Sequence, residues 1–214
     1  MSVKSRHARV YSFLVARKYE LKKRAEHQEE TRQRLVAATV ELHETIGPAR
    51  TTVSAIADRA GVERKTFYRH FPDPDAILDA CSAHYRSLNP PPDPHDWLAI
   101  QDPHERLRHG LVAAYRYYRR NERMMANVLR DRDLGIPVGD GFLRHRAVAK
   151  RTLADAFDVR ARDRKRLNAA LEVALDFRTW QTLARAGLGD LQAVKLIVAL
   201  VDAALTPWPT VPGK

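Results

Sequence analysis

The sequence has one cysteine in 214 residues, which excludes a disulfide framework within the chain. Cys81 fits a reducing cytosol instead, and its place in an amphipathic pattern marks a packed side chain rather than a nucleophile. The chain has 9 glycines and 12 prolines, and glycine is below its usual share. They stand between segments of apolar periodicity, which favours an all-helical chain. No apolar run approaches a membrane span, about 18 residues, and no leader is expected after the basic start. The nine histidines form no His-Glu-x-x-His pattern and no cluster with the cysteine, which argues against a metal site. There is no nucleophile elbow and no nucleotide fingerprint, so neither enzymatic activity nor a cofactor is expected.

What is present in excess is positive charge. The net charge is +11 and the pI about 10.1. Residues 1–24 hold eight lysines and arginines against Glu20 alone, so +7 of the +11 lies there. Such a tail suits a polyanion, through phosphate neutralisation and counterion release. It equally suits a solvated arm that touches nothing. Val10, Phe13, Leu14 and Leu21 make a weak apolar stripe, which predicts a helix over roughly 8–26 that frays or merges into the next.

Residues 51–78 are the stretch around which the chain is organised. Thr52 has the hydroxyl of a good N-cap. Val53, Ile56, Ala57 and Ala60 follow at helical spacing. Gly61 sits where the chain must turn, because glycine reaches positive φ without steric cost. A second short helix then carries Phe67 and Phe71 on its buried face. Arg64, Lys65, Thr66, Tyr68, Arg69 and His70 occupy its other faces. Two short helices about a tight turn read as a helix–turn–helix, whose second helix enters the major groove of DNA. Glu63, at the start of that helix, either favours the positive end of its dipole or accepts from a cytosine amino group.

Around this motif the periodicity predicts further helices. Leu35, Ala38, Leu42 and Ile46 give one face of a helix over 31–46, stopped by Gly47 and Pro48. Asp73 and Pro74 open another, reaching about Ser87. Asn89 to Pro94 contains three consecutive prolines and is the best internal boundary. Beyond it lie helices opened at Asp102 and Asn121, one over 142–157, and two long ones over 163–186 and 190–205. The last is apolar around much of its circumference, which suits a subunit interface; Val198 is placed there. The glycines of the loop over 135–141 follow no strand, so a phosphate loop is not expected. Trp97, Tyr115, Tyr117, Tyr118, Met124, Met125, Phe142, Phe177 and Trp180 are either helix-bundle core or the lining of a ligand cavity.

The pattern Thr51-Thr52-Val53, Ile56-Ala57, Ala60-Gly61-Val62, Thr66-Phe67-Tyr68, Phe71 and Leu78 resembles the DNA-binding head of the TetR family of bacterial transcriptional regulators. The close match covers residues 31 to 80. The resemblance implies an all-α fold: a three-helix helix–turn–helix domain over 31–88 with its connecting helix, preceded by a basic arm over 1–30. A helical ligand-binding and dimerisation domain over 95–206 follows. It implies that Thr52, Arg64, Lys65, Thr66, Tyr68 and His70 face DNA. It also implies a homodimer whose last two helices pair as a four-helix bundle. Trp97, Tyr115, Tyr118, Met125, Phe142, Phe177 and Trp180 become candidates for the effector pocket. Two residues depart from the family pattern. Lys65 stands where a small residue is usual, and Pro74 where a lysine usually contacts phosphate.

The expectation is therefore a cytoplasmic, non-enzymatic regulator that binds double-stranded operator DNA as a homodimer. A small molecule would release it as a repressor. The alternative is a ligand-independent DNA-binding or architectural protein that grips with its arm.

Overall fold

A computed structural model of the chain describes residues 3–136 and 141–206; for residues 3–18 and Pro74 the backbone alone is described. Every regular element among the described residues is helical. The chain divides into two compact units, with the division between Tyr85 and Arg86. Among the described residues no helix is long and apolar enough to cross a membrane.

The first unit begins with α1, Val3–Thr45, a single helix of 43 residues. The helices expected over 8–26 and 31–46 are thus continuous, since neither glycine nor proline interrupts them. The side chains of Val10, Phe13 and Leu14 lie outside the described residues. Residues 19–30 are exposed throughout, and burial starts at Thr31. From there Leu35, Val36 and Ala38 face a small core with Ile56, Ala60, Phe67, Phe71, Ile77 and Cys81. α1 stops at Gly47, whose φ of 89° no side-chain-bearing residue adopts readily.

Three short helices complete this unit: α2, Val53–Ala60, α3, Arg64–His70, and α4, Pro74–Leu88. Cys81 is buried on α4, and burial pushes its thiol up to about 11. Its sulfur donates to the Leu78 carbonyl at 3.2 Å. These are the properties of a packed, unreactive thiol.

The second unit has its own core. A 3-10 turn at Pro94–Ala99 places Trp97 against α5, Pro103–Arg120. The Trp97 ring reaches the backbone closely at Gly110, where a Cβ would lie 3.2 Å from it and 2.9 Å from Leu153. The turn is held by Arg106, whose Nε donates to the Ile100 carbonyl at 2.7 Å and whose Nη2 donates to the Leu98 carbonyl at 3.3 Å. Arg106 is itself buried. A buried guanidinium is tolerable here because its donors meet carbonyl groups.

α6, Glu122–Asp133, and α7, Gly141–Ala154, follow. Of the loop expected over 135–141, residues 137–140 lie outside the described residues. The chain closes with α8, Ala161–Ala174, α9, Phe177–Arg185, and α10, Asp190–Leu205.

The helix expected over 163–186 is therefore two. Asp176 caps α9, accepting from Arg178 N at 2.8 Å and Thr179 N at 3.2 Å. The break is sealed by α5: the Tyr115 hydroxyl donates to the Ala174 carbonyl at 2.9 Å, and the Tyr118 hydroxyl to the Leu175 carbonyl at 2.7 Å. Carbonyls exposed by a broken helix must find donors, and the two tyrosines supply them.

α10 buries Ala193, Val194, Ile197 and Val201. Leu191, Leu196 and Leu200 stand exposed on it, at 65%, 41% and 54%. Val198 packs partly against the core of its own chain. Leu196 and Leu200, one turn apart, share an outward face.

Candidate nucleic-acid interface and effector cleft

The head is assembled by local chemistry. Thr52 caps α2, its Oγ1 accepting from Ala55 N at 3.1 Å. Gly61 ends α2 in the left-handed conformation, φ 65° and ψ 41°. Val62 N then donates to the Ala57 carbonyl at 3.0 Å, which closes the turn. Phe67 and Phe71 anchor α3 from beneath, with ring centroids 5.8 Å apart and both rings almost fully buried. The opposite face of α3 is consequently turned outward.

On that face Arg64, Lys65, Tyr68 and Arg69 are exposed, and Thr66 and His70 half-buried. Tyr68 is 45% exposed. Arg64 Nη2 donates to its hydroxyl at 3.1 Å, and the guanidinium lies 5.6 Å from its ring centroid. The two side chains thus hold each other in place before any partner arrives. Lys65 pairs with Glu63 at 2.7 Å. That hydrogen bond, with the ammonium charge, holds the Glu63 carboxyl below its usual value. Glu63 makes no side-chain cap bond of its own to α3.

His70 is held below its ordinary value by burial, reinforced by Arg69 and Arg32. Its Nε2 is buried without a hydrogen-bond partner among the described residues. All six residues expected to face DNA lie on α3 or at the α2 N-terminus. Thr52 differs from the others, because its hydroxyl already serves the cap.

Arg69 is exposed beside these residues, although the resemblance does not select it. A helix turns by about 100° per residue, so Lys65 and Arg69 stand nearly opposite the Phe67 and Phe71 rings. Helical periodicity alone carried that signal.

In the second unit the pocket candidates separate. Trp97, Tyr118 and Phe142 line a small cleft with Tyr117, His145 and Arg146. Its free volume is about 20 Å³, close to what one water molecule needs. Tyr115, Met125, Phe177 and Trp180 are buried in the surrounding core. Trp180 Nε1 donates to Asp190 at 3.1 Å, which in turn binds Arg119 at 2.8 Å. Among the described residues no group of three histidine, cysteine or acidic side chains is arranged to hold a metal ion.

Residues 35–81 match the family model of bacterial regulatory proteins, tetR family. Among solved structures, a TetR-like transcriptional regulator from Rhodococcus sp. RHA1 aligns with a TM-score of 0.55 at 17% identity. That alignment covers 82% of this chain and 95% of the other. A TetR transcriptional regulator from the same organism aligns with a TM-score of 0.44 at 19% identity, over 86% and 99% of the two chains. No curated protein matches this sequence. Residues 35–81 thus form a DNA-binding head of the tetR-family type, and the chain as a whole shares the all-α fold of the first of these structures.

Proposed function

We propose that this protein is a repressor that binds a near-palindromic operator as a homodimer and is released by a small molecule bound in its second unit. The observation that supports it most is α3, whose apolar face is buried while Arg64, Lys65, Tyr68 and Arg69 point outward. Arginine and lysine there reach guanine edges or phosphates, and the Tyr68 hydroxyl fixes register on a phosphate oxygen. On binding, Lys65 exchanges Glu63 for phosphate or base. Pro74 offers no side-chain donor, so the exposed Lys22, Lys23 and Arg24 of α1 are the available source of further phosphate contacts.

Dimerisation is supported by the exposed leucines of α10 and by Val173 of α8, exposed at 55%. Leu196 and Leu200, one turn apart on α10, give an apolar strip that a second copy can cover. Two recognition helices then enter successive major grooves about 34–36 Å apart. An effector that prefers a dimer with a different spacing lowers operator affinity by its differential binding.

Selection of bound DNA from a random pool tests this reading. The expected product is an inverted repeat with half-sites one helical turn apart. A pool that stays random at moderate salt would favour the architectural alternative. Leu200→Glu is expected to give monomers in sedimentation, and an unchanged dimer would move the interface elsewhere.

A further inference from the structure

The cleft of the second unit has walls whose chemistry is selective. Tyr118 offers its ring but not its proton, because its hydroxyl donates to the Leu175 carbonyl. The Phe142 ring stands nearly edge-on against it, with centroids 6.2 Å apart at 64°. Trp97 closes the floor, fully buried.

Charge at the cleft is already balanced. Arg146 lines it, but its Nη1 donates to Asp176 at 2.8 Å and its Nη2 to Glu172. Lys150 binds the same Glu172 at 2.6 Å. Two cations thus meet two carboxylates. An anion entering here must take Arg146 from both of its partners, and a cation finds neither carboxylate free. Each also loses its hydration, a large cost without compensation.

His145 supplies the polar feature. Burial holds its imidazole below the ordinary value, opposed by Asp93 and by a hydrogen bond with the Pro92 backbone. A neutral imidazole that donates to the Pro92 carbonyl keeps its second ring nitrogen as an acceptor. The present free volume admits about one water. Room for a larger guest requires the Phe142 ring, which is half-buried, to give way; a flat ring in its place keeps the edge-to-face contact with Tyr118.

We infer that this cleft takes a small, flat, uncharged aromatic molecule bearing one hydroxyl or ring N–H. Its ring replaces Phe142 against Tyr118, and its donor meets His145. The inference rests on the reading of the second unit as the effector domain, and it names the class of effector.

The test uses the full-length protein and four probes of nearly equal size: phenol, toluene, benzoate and benzylamine. Their affinities are measured by ligand-observed NMR titration at neutral pH. Phenol is expected to bind about tenfold or more tighter than benzoate and benzylamine. It is also expected to exceed toluene by about three- to tenfold, the worth of one hydrogen bond. Benzoate or benzylamine binding as tightly as phenol, or no phenol binding at its solubility limit, overturns the inference. His145→Gln keeps an acceptor and is expected to keep the preference of phenol over toluene, whereas His145→Leu removes it. An unchanged preference in His145→Leu overturns the role of His145. Should that variant not fold, a wild-type preference near one does the same. Operator binding is measured in parallel without any probe. A protein that holds its operator but ignores all four probes refutes the inference alone. One that binds phenol but no operator refutes the regulator reading alone.

Discussion

Tyrosine is used in opposite ways in the two units. In the head, Tyr68 is 45% exposed and its hydroxyl accepts from the Arg64 side chain. In the body, Tyr115 and Tyr118 are buried, and their hydroxyls are bound to the backbone carbonyls at the α8–α9 break. Burial also pushes the phenols of Tyr115 and Tyr118 well above their ordinary value, so they stay protonated as donors. The same side chain stands exposed on a helix surface in one place and is a structural clamp in the other. What decides is whether its partner is fixed within the fold or must come from outside.

The sharpest way to break this contrast is to remove what holds each face in place. Phe67→Ala takes a buried ring from beneath α3 and is expected to cost the first unit about 3–5 kcal/mol. Denaturant titration followed by circular dichroism should then show that unit melting early while the second persists. A single coincident transition would contradict that expectation.

Arg106→Leu is expected to destabilise the second unit by about 2–3 kcal/mol, because carbonyls of the Trp97 turn lose their donors inside the protein. Operator affinity of the folded fraction should be unchanged. Tyr115→Phe removes one hydroxyl from the helix break and should cost about 1 kcal/mol. Tyr68→Ala should change stability by less than about 0.5 kcal/mol, as a surface substitution does. Its signature is in binding rather than folding, which is the contrast between the two tyrosines in its purest form.

Acid sharpens the comparison further, since His70 in the first unit and His145 in the second are held below their ordinary value, in both cases chiefly by burial. The unfolded chain takes up these protons first. The neutral imidazoles therefore stabilise the fold fully above the ordinary value of 6.5, and that stability is lost as pH falls below it. His145→Gln should flatten the acid limb of stability in the second unit, and a slope that is unaltered would contradict the burial assigned to it.

The smallest effect concerns the arm. Deleting residues 1–24 removes a net charge of +7. If these residues meet phosphate, the dependence of log affinity on log salt becomes shallower. An identical slope assigns them to solvent.

How much of this was legible in the sequence follows from how local each feature is. Thr52, Gly61, Phe67 and Phe71 act within one or two turns of the backbone, so their spacing reveals the head directly. Arg69 was legible too, from helical periodicity rather than from family pattern. The break at Leu175 and Asp176 was not. Leu167, Ala170, Leu171, Ala174 and Leu175 keep helical spacing into it, and the donors that stabilise it lie about sixty positions away on α5. Asp176 carried a weak signal as a capping residue. The division of the aromatic candidates into cleft and core likewise depends on packing between distant helices. Periodicity places a side chain on a buried face but does not say what meets it there.

The central claim is that the outward face of α3 reads sequence. Its most direct test is the ratio of affinities for the selected operator and for random DNA of equal length, at one fixed salt concentration. The wild-type ratio is expected to be about 10³ or more. Arg64→Ala, which removes a side chain able to reach a guanine edge, should lower operator affinity about tenfold or more while leaving the random-DNA affinity nearly unchanged, so that the ratio falls. A wild-type ratio near one, or a ratio that Arg64→Ala leaves intact, would contradict it.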